Sequence, residues 1–421
     1  KNTMKIYKFG GASVNSAEGV NRLARIVGNN TDNLVVVISA MGKTTNMLEA
    51  VVDSYFNRKP DLTDNIRKVK DFHLDIVKNL YKDKGNISGL LDNIFGQLDK
   101  TVSQKPSLSY DFEYDRIVCF GEILSTSIVS DYLNSSGIKN TFVDIRNYIK
   151  SDDNYREGIV EYDLSKELVK SAMTFADTKM YITQGFIAGT ITNQTTTLGR
   201  EGSDYSAALL ASMLNAESVT IWKDVPGVMN ADPKLYDDVQ IISRLSYKEA
   251  IELSYCGATI IHPKTIKPLK IKKIPLYVKS FINPDEDGSV INDYTERVKM
   301  PPIYIHKKNQ VLLTLTPRDF SFVAEERLSS IFLILAAYKV KASLIQTSAI
   351  SFSLCIDYNQ ATFNAMVKEL QLGYEVLYNT DVELITIRHY TKEILDRVFA
   401  EKIVFVEQRS RLTVRFVVPT N

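Results

Sequence analysis

Cysteine is almost missing from this sequence: 3 residues in 421, Cys119, Cys256 and Cys355, far apart and each among apolar neighbours. That distribution excludes a disulfide framework and a cysteine-built zinc site, and it predicts buried thiols in a reducing compartment. Histidine is as sparse, with 4 residues and no pair at metal-ligand spacing, so no protein-held metal is expected. No apolar run approaches membrane-spanning length, and no signal peptide stands ahead of Met4. Surplus charge is lacking too. Lys+Arg of 51 against Asp+Glu of 50 gives a net +1, which leaves no global field to gather nucleic acid or an anionic membrane. What is present, 44% hydrophobic and 24% charged residues, is ordinary globular composition in a chain long enough for two or three domains. A cytoplasmic enzyme is the class left standing.

The front of the chain carries the first motif. A short strand around Lys5–Lys8 runs into Gly10-Gly11, a polar turn follows, and a helical pattern starts near Ser16-Ala17-Glu18. Glycine lets the backbone turn sharply and approach a ligand closely, and amides at a helix start favour an anion. Lys8 brings a mobile cation to the same spot. Together these describe a phosphate cradle, although a glycine pair after a strand is by itself most often only a turn.

Further along, Leu34–Ile38 is apolar throughout, as expected of a parallel strand buried on both faces. It empties into Ser39–Asn46 and a helix from about Met47. Residues 61–104 read as three helical stretches forming a mostly solvated lid. Strands at 141–144, 180–183 and 218–222 alternate with helices, one of them over Ser206–Asn215, and predict a parallel, helix-covered sheet. Proline and charge without periodicity at 283–288 and 300–302 mark a boundary. Beyond it the order is βαββαβ, a ferredoxin-like unit ending in a strand at 375–378. A second copy opens with a strand at 382–386 and stops where its second helix is due, so the last copy reads as truncated or completed from elsewhere. The expected domains are a catalytic unit at 1–295 and ferredoxin-like units at 303–379 and 380–421.

In a doubly wound sheet, loops after the strands gather at one edge, where ligands bind. Gly42-Lys43-Thr44 looks like the end of a Walker A loop, but that loop needs a glycine where Val37 stands inside the strand. Lys43 is left as at most one member of a different phosphate site.

At this point a resemblance becomes specific. Lys8-Phe9-Gly10-Gly11-Ala12-Ser13-Val14 resembles the K-F-G-G-T-S-V signature of the aspartate kinases, a branch of the amino-acid kinase superfamily. Ser39–Asn46, Phe120-Gly121-Glu122, Leu198–Tyr205, Asp224-Val225-Pro226-Gly227 and Gly257-Ala258 through His262-Pro263 follow in the family's order. The tandem βαββαβ units resemble its paired ACT regulatory domains. The resemblance implies an α/β amino-acid kinase fold followed by two α+β ACT units. It also implies ATP-dependent phosphorylation of the aspartate side chain, with Mg²⁺ accompanying ATP, as the first step toward lysine, threonine and methionine. The acceptor carboxylate is already an anion, so no general base is required. Catalysis then rests on positioning and on positive charge near the transferring group.

By the same resemblance Lys8 and Asp204 are catalytic, and Ser39, Thr45, Glu122, Arg200 and Ser203 hold aspartate. Arg200 would clamp a carboxylate with its planar fork, and Glu122 would take the substrate ammonium. The nucleotide would meet Lys8, Phe9, Gly10, Gly11, Lys223, Asp224, Met229, Asp232 and Lys234. Plainer readings stand beside these: Glu122 as a carboxylate complementing a helix dipole, and Asp204 as the N-cap of the helix at 206. The sequence departs from the family pattern at Ala12 (usually Thr), Met229 (commonly Tyr) and Thr259 (often Lys), with Lys264 a substitute nearby. An amino-acid effector, lysine or threonine, would sit on Ser343, Gln346, Thr347, Ser348 and Ala349, although Ser343 and Ala349 replace acidic residues. A homodimer or a dimer of dimers through the ACT units is expected. The alternatives are another amino-acid kinase of this fold and a non-catalytic amino-acid sensor.

Overall fold

The computed structural model describes residues 3–81, 85–258, 261–294, 299–319, 322, 325–399 and 403–420. The chain divides into two compact units: Lys1–Val228 with Ile241–Ile251 and Ile260–Val298, and Met229–Gln240 with Glu252–Thr259 and Lys299–Asn421.

The first unit is built on strands β1 (Met4–Phe9), β2 (Asn33–Ile38), β3 (Thr141–Val143), β4 (Met180–Gln184), β5 (Ile187–Gly189), β6 (Thr195–Thr197), β7 (Ser218–Lys223), β8 (Arg244–Ser246), β9 (Leu276–Ser280) and β10 (Ser289–Asn292). Eight of them form one sheet in the order β3-β4-β2-β1-β7-β9-β10-β8, and β5 pairs with β6 separately. The six strands from β3 to β9 are parallel, while β9 and β10 run antiparallel. Leu34 to Ile38 are buried without exception, because a strand covered on both faces has no side to spare for polar residues.

The helices around it include α1 (Ala17–Gly28), α2 (Thr44–Phe56), α3 (Leu62–Leu80), α4 (Gly85–Ser103), α5 (Tyr110–Val118), α6 (Phe120–Ser135), α7 (Tyr162–Ala172) and α8 (Gly202–Leu214). Ser16 caps α1 by accepting the Gly19 amide at 3.2 Å. Residues 61–104 differ from expectation. They contain two helices, α3 and α4, and these are not a solvated lid. Val69, His73, Ile76 and Val77 recur at helical spacing on α3, as do Ile87, Leu91, Ile94, Phe95 and Leu98 on α4, and all are buried. The Lys and Asp residues that suggested solvation occupy the outer faces alone.

The second unit holds β11 (Ile303–Pro317), β12 (Ala342–Thr347), β13 (Phe352–Asp357), β14 (Tyr374–Arg388), β15 (Val406–Arg409) and β16 (Thr413–Pro419) in an antiparallel sheet ordered β12-β13-β11-β14-β16-β15. The two strands expected at 375–378 and 382–386 are one, β14. It bends at Asp381, opposite a matching irregularity in β11 near Asn309, and both residues have positive φ, which Asn and Asp tolerate better than most. Each long strand therefore serves twice. The later half of β11 and the early half of β14 join β12 and β13, while Ile303–Lys307 pairs with Leu384–Arg388 beside β16 and β15. The fourth strand that the second copy lacks is supplied by the start of β11.

Candidate active site

The carboxyl ends of the parallel strands converge. Phe9 at the end of β1 lies beside Ile38 of β2 and Trp222 of β7, and Ile38 lies beside Gln184 of β4. Lys8, one residue from the end of β1, forms an ion pair with Asp204 at 2.6 Å, and both side chains are almost fully buried. The lysine ammonium lies against Gly10, where an added Cβ would come 3.4 Å from Nζ. Gly11 is more constrained still. A Cβ there would sit 2.8 Å from the carbonyl oxygens of Ala40 and of Gly42, both backbone atoms. The Gly42 amide donates to Gly11 O at 3.0 Å and the Ser39 amide to Phe9 O at 3.1 Å, tying the two glycine-bearing loops together. Gly11→Ala is accordingly expected to cost about 1–3 kcal/mol of stability and to lower turnover, measured by urea denaturation beside initial rates.

Asp204 reaches Lys8 because α8 starts earlier than its sequence pattern suggests. Glu201, in the left-handed conformation (φ 51), turns the chain into the helix at Gly202. Asp204 thus stands in the first turn and does not cap the helix. Glu201 occupies the N-cap position, and its own carboxylate accepts the His262 amide at 2.8 Å. Ser203 rests against Gly185, where an added Cβ would fall 2.6 Å from the serine Cβ. Gly185, directly after β4 and bonded through its amide to Ile38 O at 3.1 Å, was not singled out from the sequence. A glycine closing a buried strand is the signal that marks it.

Glu122, in the first turn of α6, is 2% exposed. Its Oε1 accepts the Ala40 amide at 3.1 Å, and Oε2 has no partner among the described residues. Burial pushes this carboxyl up to about 8, against the opposing pull of the Ala40 N–H and the Lys8 ammonium. One buried carboxyl oxygen is thus left without a donor among the described residues, and the Lys8 ammonium favours the ionised form.

The other expected residues are distributed as follows. Thr45 is half-buried in the first turn of α2, which begins at Thr44, three residues before the expected start. Arg200 is exposed ahead of α8 and makes no ion pair or side-chain hydrogen bond among the described residues. Phe9 is wholly buried and stacks on Trp222 at 5.9 Å, so only its backbone faces the turn. Lys223 ends β7 and Asp224 is exposed just after it. Lys264 is anchored: its ammonium donates to Leu198 O at 2.9 Å and lies 4.8 Å from the Tyr205 ring centroid. Met229, Asp232 and Lys234 group with the second unit, where Asp232 accepts the Lys234 amide at 2.9 Å. Thr259 lies outside the described residues. On β12 and just beyond it, Gln346, Thr347, Ser348 and Ala349 are exposed, and Ser343 is half-buried and accepts the Lys307 ammonium at 2.6 Å. Ala12 is exposed on the turn.

Comparison with known proteins identifies the family. The sequence model of the amino acid kinase family matches residues 3–280. The lysine-sensitive aspartokinase 3 of Escherichia coli is 31% identical over 393 residues, spanning 90% of this chain and 84% of that one. A bifunctional aspartokinase/homoserine dehydrogenase of Buchnera aphidicola is 32% identical over 298 residues, and the match spans 36% of its length. In three dimensions, the E. coli aspartokinase III solved with lysine and aspartate superposes with a TM-score of 0.84 at 26% identity, covering 99% of this chain and 96% of that one. The chain belongs to the amino acid kinase family and, within it, to the aspartate kinases.

Proposed function

We propose that this protein transfers the γ-phosphoryl group of ATP to the side-chain carboxylate of L-aspartate, giving an acyl phosphate. One observation carries the reading: the buried Lys8–Asp204 pair lies over the Gly10-Gly11 turn, next to a Glu122 with a free oxygen. Lys8 and the turn amides would neutralise charge on the transferring group, Asp204 would orient the Lys8 ammonium, and Glu122 would receive the substrate ammonium. Arg200, without an ion pair among the described residues, would clamp a carboxylate, with Ser39, Thr45 and Ser203 adding polar contacts. Lys223 at the end of β7 and Asp224 after it would meet the nucleotide, together with the Gly10-Gly11 turn. Among the described residues no three His, Cys, Asp or Glu side chains gather as a metal cage. As the family resemblance implies, magnesium would arrive on the phosphates of ATP. Magnesium would supply further neutralisation between phosphate oxygens.

The second unit supports an ACT reading: two interlocked βαββ arrangements share β11 and β14, and the edge strand β12 leads into exposed Gln346 to Ala349. An amino acid effector and pairing of copies through that edge follow from it. A cytoplasmic setting is proposed from the sparse, buried cysteines. ADP release coupled to a reporter tests the acceptor. Aspartate is expected to drive turnover, while glutamate, carbamate and nucleoside monophosphates are not. Turnover with one of those and none with aspartate would overturn the assignment. Titrating the same assay with lysine and with threonine identifies the effector.

A further inference from the structure

The face of the first sheet turned away from Lys8 carries a cavity of its own. Alternation along a strand sends Lys5 and Tyr7 to the side opposite Lys8. Beside them stand Thr220 and Trp222 of β7 and Tyr277 and Lys279 of β9. A cleft of about 740 Å³ opens over these strands, flanked by Arg25 of α1. That volume lies in the range of small-molecule sites, and Glu122, Asp204 and the glycines of the candidate active site take no part in its walls.

Acidic as well as basic side chains line the cleft, Asp32, Glu217 and Asp285 among the acids. At one end, Lys5 pairs with Asp32 at 2.7 Å, and Glu217 adds to the negative field on Lys5. At the other, Trp222 is 5% exposed and its indole N–H finds no acceptor among the described residues. The Lys279 ammonium stands over that indole, 5.7 Å from the ring centroid, and has no ion pair among the described residues. Tyr7 meets the same indole edge-on at 5.5 Å. A buried donor left unmatched costs free energy, and the ammonium beside it is held by the indole face with charge to spare for an anion. The aromatic wall asks for a ring.

We propose that this cleft binds a small aromatic carboxylate, its ring against Tyr7, Trp222 and Tyr277 and its carboxylate answering the Lys279 ammonium.

Trp222 is the single tryptophan of the chain, so its emission reports on the cleft directly. The full chain is titrated with 4-hydroxyphenylacetate, its neutral amide and acetate, each with and without saturating ATP and aspartate. The expected result is a saturable change with 4-hydroxyphenylacetate at an affinity that ATP and aspartate leave unchanged. Lys279→Met, and replacement of the probe by its amide, should each weaken binding by about 10-fold or more, while Lys279→Arg should restore most of it. Acetate should give no saturation. A linear response to the ring-bearing acid, equal binding of the amide, or competition by ATP or aspartate would overturn the proposal. So would a Lys279→Met variant of unchanged circular dichroism that binds as well as the wild type.

Discussion

Lys8→Met is expected to lower kcat by about 10²–10⁴-fold while leaving the KM for aspartate within a few-fold. The acceptor and the γ-phosphate are both negative when they meet, and repulsion between them is the barrier that a positioned cation reduces. Because Lys8 is buried against Asp204 at 2.6 Å, it is held where charge accumulates and needs no rearrangement to act. The substitution has a second consequence. It strands the Asp204 carboxylate, 4% exposed, and removing one member of a buried pair costs about 3–5 kcal/mol. The double variant Lys8→Met/Asp204→Asn separates the two effects. It should recover most of the stability in urea denaturation and none of the turnover. If the double variant regained turnover, the lysine would be structural and charge neutralisation would come from another group.

The second large effect belongs to Glu122. Its carboxyl titrates near 8 in the folded protein, against about 4.5 for an ordinary glutamate, so the folded state retains a proton that the unfolded state releases. Below pH 4.5 both states are protonated and the group is neutral in its effect. Between 4.5 and 8, stability falls as pH rises, by at most about 1.4 kcal/mol per pH unit. Above 8 the cost is constant. Glu122→Gln should therefore unfold at higher denaturant than the wild type at pH 8, with the difference shrinking toward pH 5. Aspartate binding should run the other way. An ammonium beside Oε2 favours the ionised carboxylate, so the wild type should release a proton on binding near neutral pH, and its KM for aspartate should fall as pH rises from 6 to 8. In Glu122→Gln the proton release and that pH dependence should vanish, and KM should rise by about 10–100-fold, the loss of a charge-assisted contact. Calorimetry of aspartate binding in buffers of different ionisation enthalpy counts the protons.

The first unit is legible in the sequence wherever one local rule dominates. Leu34–Ile38 is apolar because both faces are covered, and Gly10-Gly11 after a strand marks a turn that only glycine can make, as the two carbonyl oxygens 2.8 Å from the Gly11 Cβ position explain. Where tertiary contacts decide, the sequence is silent. Nothing local announces that Glu201 takes a left-handed conformation and starts α8 at Gly202, which sets aside the N-cap reading of Asp204 and leaves it as the partner of Lys8. The lysines and aspartates of α3 and α4 describe their outer faces and conceal the buried rows beneath. In the second unit, a strand that pairs once along each half of its length reads as two strands, because Asp381 interrupts the apolar pattern without ending the pairing. The idle oxygen of Glu122 and the unmatched indole N–H of Trp222 are invisible for the same reason: a missing partner is a property of packing.

The most direct measurement is a crystal structure of the complex with a non-hydrolysable ATP analogue and aspartate. The terminal phosphate is expected within hydrogen-bond reach of Lys8 Nζ and the Gly10 and Gly11 amides, with the substrate ammonium on Glu122 Oε2. A terminal phosphate bound away from that turn, with Lys8 still closed on Asp204 alone, would contradict the account.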